Sequence, residues 1–273
     1  MSCKICGDIT QKIFKKKILN KYDCNYYQCI SCSFIQTDEP FWLEEAYKSA
    51  ITSLDIGLLA RNTFLQKEIP KIIYSCFPEA KKMVDYAGGY GVFVRLMRDS
   101  GYDFYRQDDF CENIFAKNFD VNDISTKKFD LVTAFEVFEH FNNPLESISK
   151  IFDYAANLIL TTELIPDDEA EIENWWYIAE ETGQHISFYS SKSMEIIAEK
   201  FNKNYYQKSR TTHIFTSKKL SQHQIDCDLK EYTIKKKYWG LKTKIIEKDI
   251  NIEKESLLES DYQFIKNIIN KKN

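Results

Sequence analysis

Three groups of residues have types and spacings suited to chemistry. Cys3 and Cys6, then Cys29 and Cys32, form two Cys-x-x-Cys pairs with the stretch 7–28 between them. Each pair turns the chain so that two thiolates face one point, and two such knuckles complete a tetrahedral sulfur site. Most of the chain's cysteines, Cys24 among them, fall between Cys3 and Cys32, a clustering that points to metal rather than disulfides. Zn2+ is the expected occupant, against an iron–sulfur cluster, a redox pair or disulfides. Four thiolates close every position on zinc, so its role would be structural. The second group is Met83-Val84-Asp85-Tyr86-Ala87-Gly88-Gly89-Tyr90-Gly91-Val92-Phe93-Val94. It reads as a strand, a tight turn and a helix, with glycines that let a ligand lie against the backbone and free N–H groups of the helix facing it. The third is a set of titratable side chains further on, Glu136, His140, Glu163, Tyr177 and His185.

Two cofactor classes use a strand, glycine turn and helix. A dinucleotide fingerprint wants Gly-x-Gly-x-x-Gly. Gly89 and Gly91 supply its first pair, but Val94 takes the third position. Asp85, at the mouth of the strand, would repel a diphosphate and welcome a cationic amino-acid ligand. The stretch resembles motif I of class I S-adenosylmethionine (SAM)-dependent methyltransferases, Asp/Glu-x-Gly-x-Gly-x-Gly. Asp85, Gly89 and Gly91 match, and Ala87 replaces the first glycine. The resemblance implies that Asp85, Ala87, Gly88, Gly89 and Gly91 bind SAM; alanine permits the close approach if its φ stays negative.

Residues 102–107 read as the next strand, ending in Asp108-Asp109. A carboxylate there is placed to take both hydroxyls of a ribose, with Asp108 the first choice and Asp109 the second. Residues 119–123 should form the third strand and loop, and 129–135 a buried strand. Then comes Glu136-Val137-Phe138-Glu139-His140-Phe141-Asn142-Asn143-Pro144, which is similar to the post-strand signature of the same family. That likeness implies a strand tip, Phe135 and Glu136, beside the SAM sulfonium. His140 reads first as a hydrogen-bonded residue fixing this loop and second as a base.

The acceptor side falls on the loop from Glu163 to Tyr189. Trp175, Trp176 and Tyr177 are three adjacent aromatics in a polar segment; one can be core, but a flat aromatic wall suits sugar rings. His185 has an ordinary pKa near the working pH of a general base. Glu163 and Tyr177 are the other candidates. The run Gly183-Gln184-His185-Ile186-Ser187-Phe188-Tyr189-Ser190 resembles a segment of bacterial methyltransferases from surface-polysaccharide and sugar-nucleotide clusters. The resemblance implies a sugar or glycan-linked acceptor and leaves O- against C-methylation open. The cysteine knuckles likewise resemble the N-terminal domain of some sugar C-methyltransferases.

Around these groups, strand and helix patterns alternate as a doubly wound α/β fold requires. The expected fold is a Rossmann-like, seven-stranded sheet closed by an antiparallel hairpin, plus a small zinc-ribbon-like module. The parts are a zinc module over 1–39, a helical connector over 40–79, the SAM-binding core over 80–218 and a Lys-rich helical extension over 219–273. In the connector, Tyr47, Ser49, Asp55, Arg61 and Asn62 are polar residues able to cap the pocket. A net charge of −4 gives no global field for nucleic acid. No stretch approaches the roughly 18 apolar residues of a membrane span, and the N-terminus lacks the apolar run of a signal peptide, so a cytoplasmic location is the default. The C-terminal helices can form an oligomer contact. The rival readings are methylation of another small hydroxylated metabolite, a catalytically silent zinc-ribbon binding protein, and an NAD-dependent oxidoreductase.

Overall fold

The computed structural model describes residues 1–48, 51–227, 229–236 and 243–272. The chain opens with three antiparallel strands, β1 (Thr10–Ile18), β2 (Tyr22–Cys29) and β3 (Ile35–Thr37). Phe14, Ile18, Cys24 and Tyr26 alternate inward along the first two, the period of a sheet with one covered face. A short helix α1 (Leu43–Ala46) and a long one, α2 (Leu58–Cys76), lead into the core. Leu65, Ile69, Ile72 and Ile73 put the buried stripe of α2 against the sheet.

The core follows as β4 (Lys82–Tyr86), α3 (Val92–Asp99), β5 (Asp103–Gln107), β6 (Leu131–Phe135), α4 (Pro144–Tyr154) and β7 (Leu158–Thr161). After α5 (Glu169–Ile172) and β8 (Ser187–Phe188), α6 (Ser191–Lys200), β9 (Asn204–Gln207) and β10 (Thr212–Thr216) complete it. The sheet has six strands in the order β5-β4-β6-β7-β10-β9, the first four parallel and β10 antiparallel to both of its neighbours. Val84, Leu131, Val132, Leu158, Ile159 and Leu160 are wholly buried, as strands covered on both faces require. Burying each such side chain contributes about 1.5–3 kcal/mol. The closing hairpin has the expected form, with its second strand inserted beside β7.

Two expectations are corrected, and one element is extended. The sheet has six strands, because residues 119–123 make one bridge, Arg106 to Asp120, and no ladder. Asn118 enters with φ 71° and the Asp123 carboxylate accepts from the Asp120 N–H, so turns at both ends cut the pairing short. The sheet of segment 1–39 also draws on the core. Ile35 and Gln36 of β3 pair with Phe188 and Ser187, so the core loop supplies the fourth strand of that sheet. The C-terminal segment is only partly helical: α7 (Gln222–Asp226), a hairpin of β11 (Lys230–Lys236) and β12 (Thr243–Asp249), then α8 (Leu258–Lys272). Among the described residues no helix is long and apolar enough to cross a membrane.

Candidate functional site

A cavity of about 1010 Å³ opens at the carboxyl ends of β4, β5 and β6, where open α/β sheets place their ligands. Asp85 lies at its floor, 3% exposed, and accepts from the Thr133 hydroxyl at 2.7 Å. Burial pushes this carboxyl up to about 7, and the Asp108 charge adds to the rise. Gly88 has no room for a side chain, since a Cβ there would meet Asp85 Oδ2 at 2.8 Å. Gly91, with φ 83° at the start of α3, is as closely held, its missing Cβ falling 2.8 Å from Asn113 Oδ1. Ala87 departs from the condition under which alanine was acceptable: its φ is 54°. Glu136, at the tip of β6, has φ 53°. Two non-glycine residues in the left-handed region therefore sit at adjacent strand tips, each costing about 1–2 kcal/mol.

The β5 tip differs from expectation in its hydrogen bonding. Asp108 Oδ2 accepts from Gly89 N at 2.9 Å, while Oδ1 accepts from Phe110 N at 2.8 Å and Cys111 N at 2.7 Å. Its carboxylate thus ties the glycine turn to the next loop. Asp109 is exposed at the cavity mouth, with Oδ1 accepting from Gln107 Nε2 at 3.1 Å. Phe135 lines the cavity and packs edge-on to Phe93, ring centres 4.9 Å apart.

The opposite wall brings together Glu136, His140, Tyr177 and His185, with Glu139 fully buried beside them. Tyr177 donates from its hydroxyl to Glu136 Oε2 at 3.1 Å, and Thr162 donates to Glu139 Oε2 at 3.0 Å. The His140 Nδ1 faces the Gln184 carbonyl at 3.1 Å, and the His185 Nδ1 faces that of Tyr177 at 2.6 Å, each an N–H to carbonyl bond in the Nδ1 tautomer. The two imidazoles stand edge to face at 4.9 Å. Burial pulls His140 down to about 4; burial and then the His140 charge pull His185 down to about 3. In the folded chain His185 therefore does not titrate near neutrality, as its ordinary pKa would suggest. Burial raises Tyr177 well above the ordinary phenol range and, with Glu136 beside it, lifts Glu139 to about 8.

Glu163 lies apart from this group, half-buried and paired with Arg210 at 3.3 Å. Of the three adjacent aromatics, Trp175 and Tyr177 are buried, Tyr177 also lining the cavity, and Trp176, 71% exposed, stands at its rim. Tyr47, Asp55, Arg61 and Asn62 do line the cavity, with Asp55 holding Arg61 through two bonds of 3.2 and 3.0 Å. Ser49 lies outside the described residues. Sequence reasoning did not single out Glu139, although its place beside His140 in the post-strand run was visible.

The four cysteines of the knuckles converge, their sulfurs all within 4.8 Å of one another. Cys3 and Cys32 are 3.5 Å apart and Cys6 and Cys29 3.4 Å, separations of contact and not of a disulfide bond. The Ile5 N–H donates to Cys3 Sγ and the Cys32 N–H to Cys29 Sγ, as a chain wrapped around a thiolate cluster would have it. This donor set fits a closed tetrahedral Zn2+ site.

The family model described as a methyltransferase domain matches residues 60–208, more than half of the chain. No curated protein matches. Among solved structures, the mitomycin 7-O-methyltransferase MmcR is similar at 13% identity and a TM-score of 0.40, over 64% of this chain and 59% of its own. An O-methyltransferase family protein from Burkholderia thailandensis is similar at 14% identity and 0.41, over 66% of this chain and 68% of its own. The magnesium protoporphyrin IX methyltransferase ChlM from Synechocystis PCC 6803 with bound SAH is similar at 11% identity and 0.42, over 63% and 90%. The chain spans less than two thirds of the length of the first of these, MmcR.

Proposed function

Since the chain belongs to the methyltransferase domain family, as a SAM-dependent methyltransferase, we propose that it transfers the methyl group to a sugar or glycan-linked acceptor held against the Glu136–His185 wall. The observation that carries the cofactor half is the strand-tip cradle: a buried carboxylate at Asp85, a turn at Gly88 that admits no side chain, and the N-terminus of α3 opening on one cavity. SAM supplies an electrophilic methyl on a sulfonium. Asp85 ionises against the cationic ligand, and Asp109, with the acceptor capacity left on Asp108, takes the ribose hydroxyls. The tip at Phe135 and Glu136 borders the reacting end.

The acceptor reading rests on the rim. Trp176 offers an exposed aromatic face, and Tyr47 and Phe110 stack at 6.4 Å on the same cavity, a lining suited to the apolar faces of sugar rings. In-line displacement depends chiefly on positioning, and a base is needed only for the acceptor proton. His185 and His140, both neutral at pH 7, line the cavity; Tyr177 holds Glu136 in place, and Glu163 is paired with Arg210 off the cavity lining. Cys3, Cys6, Cys29 and Cys32 would hold a structural zinc at the foot of the wall.

Calorimetric titration of the purified, zinc-loaded chain with SAM, S-adenosylhomocysteine (SAH) and NAD tests the reading. Micromolar binding of the first two and none of NAD is the expected result. A folded chain that bound neither SAM nor SAH would sink it and favour a silent domain.

A further inference from the structure

Glu139 is 0% exposed, and its Oε1 has no hydrogen-bond partner. A buried carboxylate with one orphaned oxygen is costly unless a cation meets it. The side chains around that oxygen are unusual in type. His140 Nε2 lies 3.9 Å from Oε1, and one ligand atom from each of Glu139, His140 and His185 falls within 4.8 Å of the other two. Both imidazoles have Nδ1 turned to a backbone carbonyl, that of Gln184 or of Tyr177. This outer contact is the one that orients metal-bound histidines; it leaves the His185 Nε2 as a lone-pair donor, while the Glu136 backbone also interacts with His140. Thr162, from the end of β7, holds the other Glu139 oxygen in the same manner. Glu136 adds a second acid on the cavity side, while Arg61 is matched by Asp55.

We propose that Glu139, His140 and His185 form a divalent-cation site in the acceptor wall, where the cation grips and acidifies an acceptor hydroxyl. Two nitrogens and one carboxylate oxygen suit Mn2+, Co2+, Fe2+ or Zn2+, with the remaining positions open to oxygen ligands. Ligand atoms around such an ion lie about 3–3.5 Å apart, so binding draws the three side chains together by about an ångström. Bound to the metal, the acceptor hydroxyl gives its proton to solvent. Its oxygen then forms the O–CH3 bond as the C–S bond breaks, and the sulfur leaves as a neutral thioether. This second half rests on the methyltransferase reading and selects transfer to oxygen; binding of the cation does not rest on it.

The test uses the full chain, dialysed against chelator and reloaded with one equivalent of Zn2+ for the thiolate site. Mn2+ is then added and its free-ion electron paramagnetic resonance signal recorded; Mn2+ competes poorly for thiolates. One Mn2+ per chain is expected, with Glu139→Gln and His185→Ala each weakening it tenfold or more. SAH affinity, measured in the same samples, should hold within twofold and vouches for the fold. A chain that binds SAH but takes up no Mn2+, or equal uptake by both variants, overturns the site. Variant-sensitive uptake of Mn2+ by a chain that binds no SAH upholds the site and overturns its role in methyl transfer.

Discussion

At the residue scale, Asp85 makes the clearest case for physics read from sequence. An acid at the end of an apolar strand before glycines must be buried or bound, and it is buried with a carboxyl raised to about 7. Because this folded value lies above the unfolded one near 4, the proton stays on in the folded chain while the unfolded chain has released it. The stability contributed is fully present below about pH 4 and is lost as pH rises through 7, on the order of 4 kcal/mol in all. Thr133 and Arg106 resist the rise and Asp108 adds to it. The α-ammonium that SAM and SAH share selects the ionised form, so SAH affinity should climb about tenfold between pH 5.5 and 7 in wild type. In Asp85→Asn it should be weak and flat. Calorimetry at fixed ionic strength reads both, and a flat wild-type profile would remove Asp85 from the ligand's neighbourhood. What the residues could not reveal was conformation and burial: the positive φ of Ala87 is set by how its turn closes, and the lowered His185 by walls from distant segments.

At the element scale, helices and parallel strands were legible because their periods are local. The strand lost at residues 119–123 was not, since turn residues at Asn118 and Asp123 outweigh the apolar pattern. Nor was the pairing of the strand-like β8 with β3, a partner far away in the chain. Its edge bonds run in series: Thr37 N donates to the Ile186 carbonyl at 3.3 Å, and Ile186 N donates to the Glu139 carbonyl at 2.9 Å. Ser190, the N-cap of α6, donates to the Cys32 carbonyl at 2.5 Å. The thiolate knuckle is thereby joined to the acceptor wall through backbone. Cys29→Ser should raise hydrogen exchange at residues 186–188 as well as at 26–37, by tenfold or more. Mass-spectrometric exchange confined to the segment 1–39 would show the two parts to be independent.

At the scale of the whole molecule, the C-terminal helix is fastened by a buried ion-pair cluster, with Phe264 packed on Phe119 and Ile265 against the core. Asp261 accepts from Arg98 at 2.7 and 2.8 Å and from Arg95 at 2.9 Å, and Arg98 also bonds Asp103 at 2.6 Å beneath the Phe119 ring. Removing one member of a buried pair costs about 3–5 kcal/mol, so Asp261→Ala should lower urea stability by roughly that amount. SAH affinity should be unchanged, because the pair lies at the far end of α3 from the glycine turn. A loss under about 1 kcal/mol, the range of an exposed ion pair, or parallel loss of affinity, would contradict this. Charged residues in a Lys-rich tail read as solvated, and nothing local marks Asp261 as buried. The shared sheet bears on how the chain is made. Ile35 leaves the ribosome about 150 residues before Phe188, an interval of about 8–30 s at ordinary elongation rates. Through that time β3 presents an open edge to solvent and to other nascent chains. Early capture of metal by the knuckles would hold the half-built sheet in register until translation delivers its last strand.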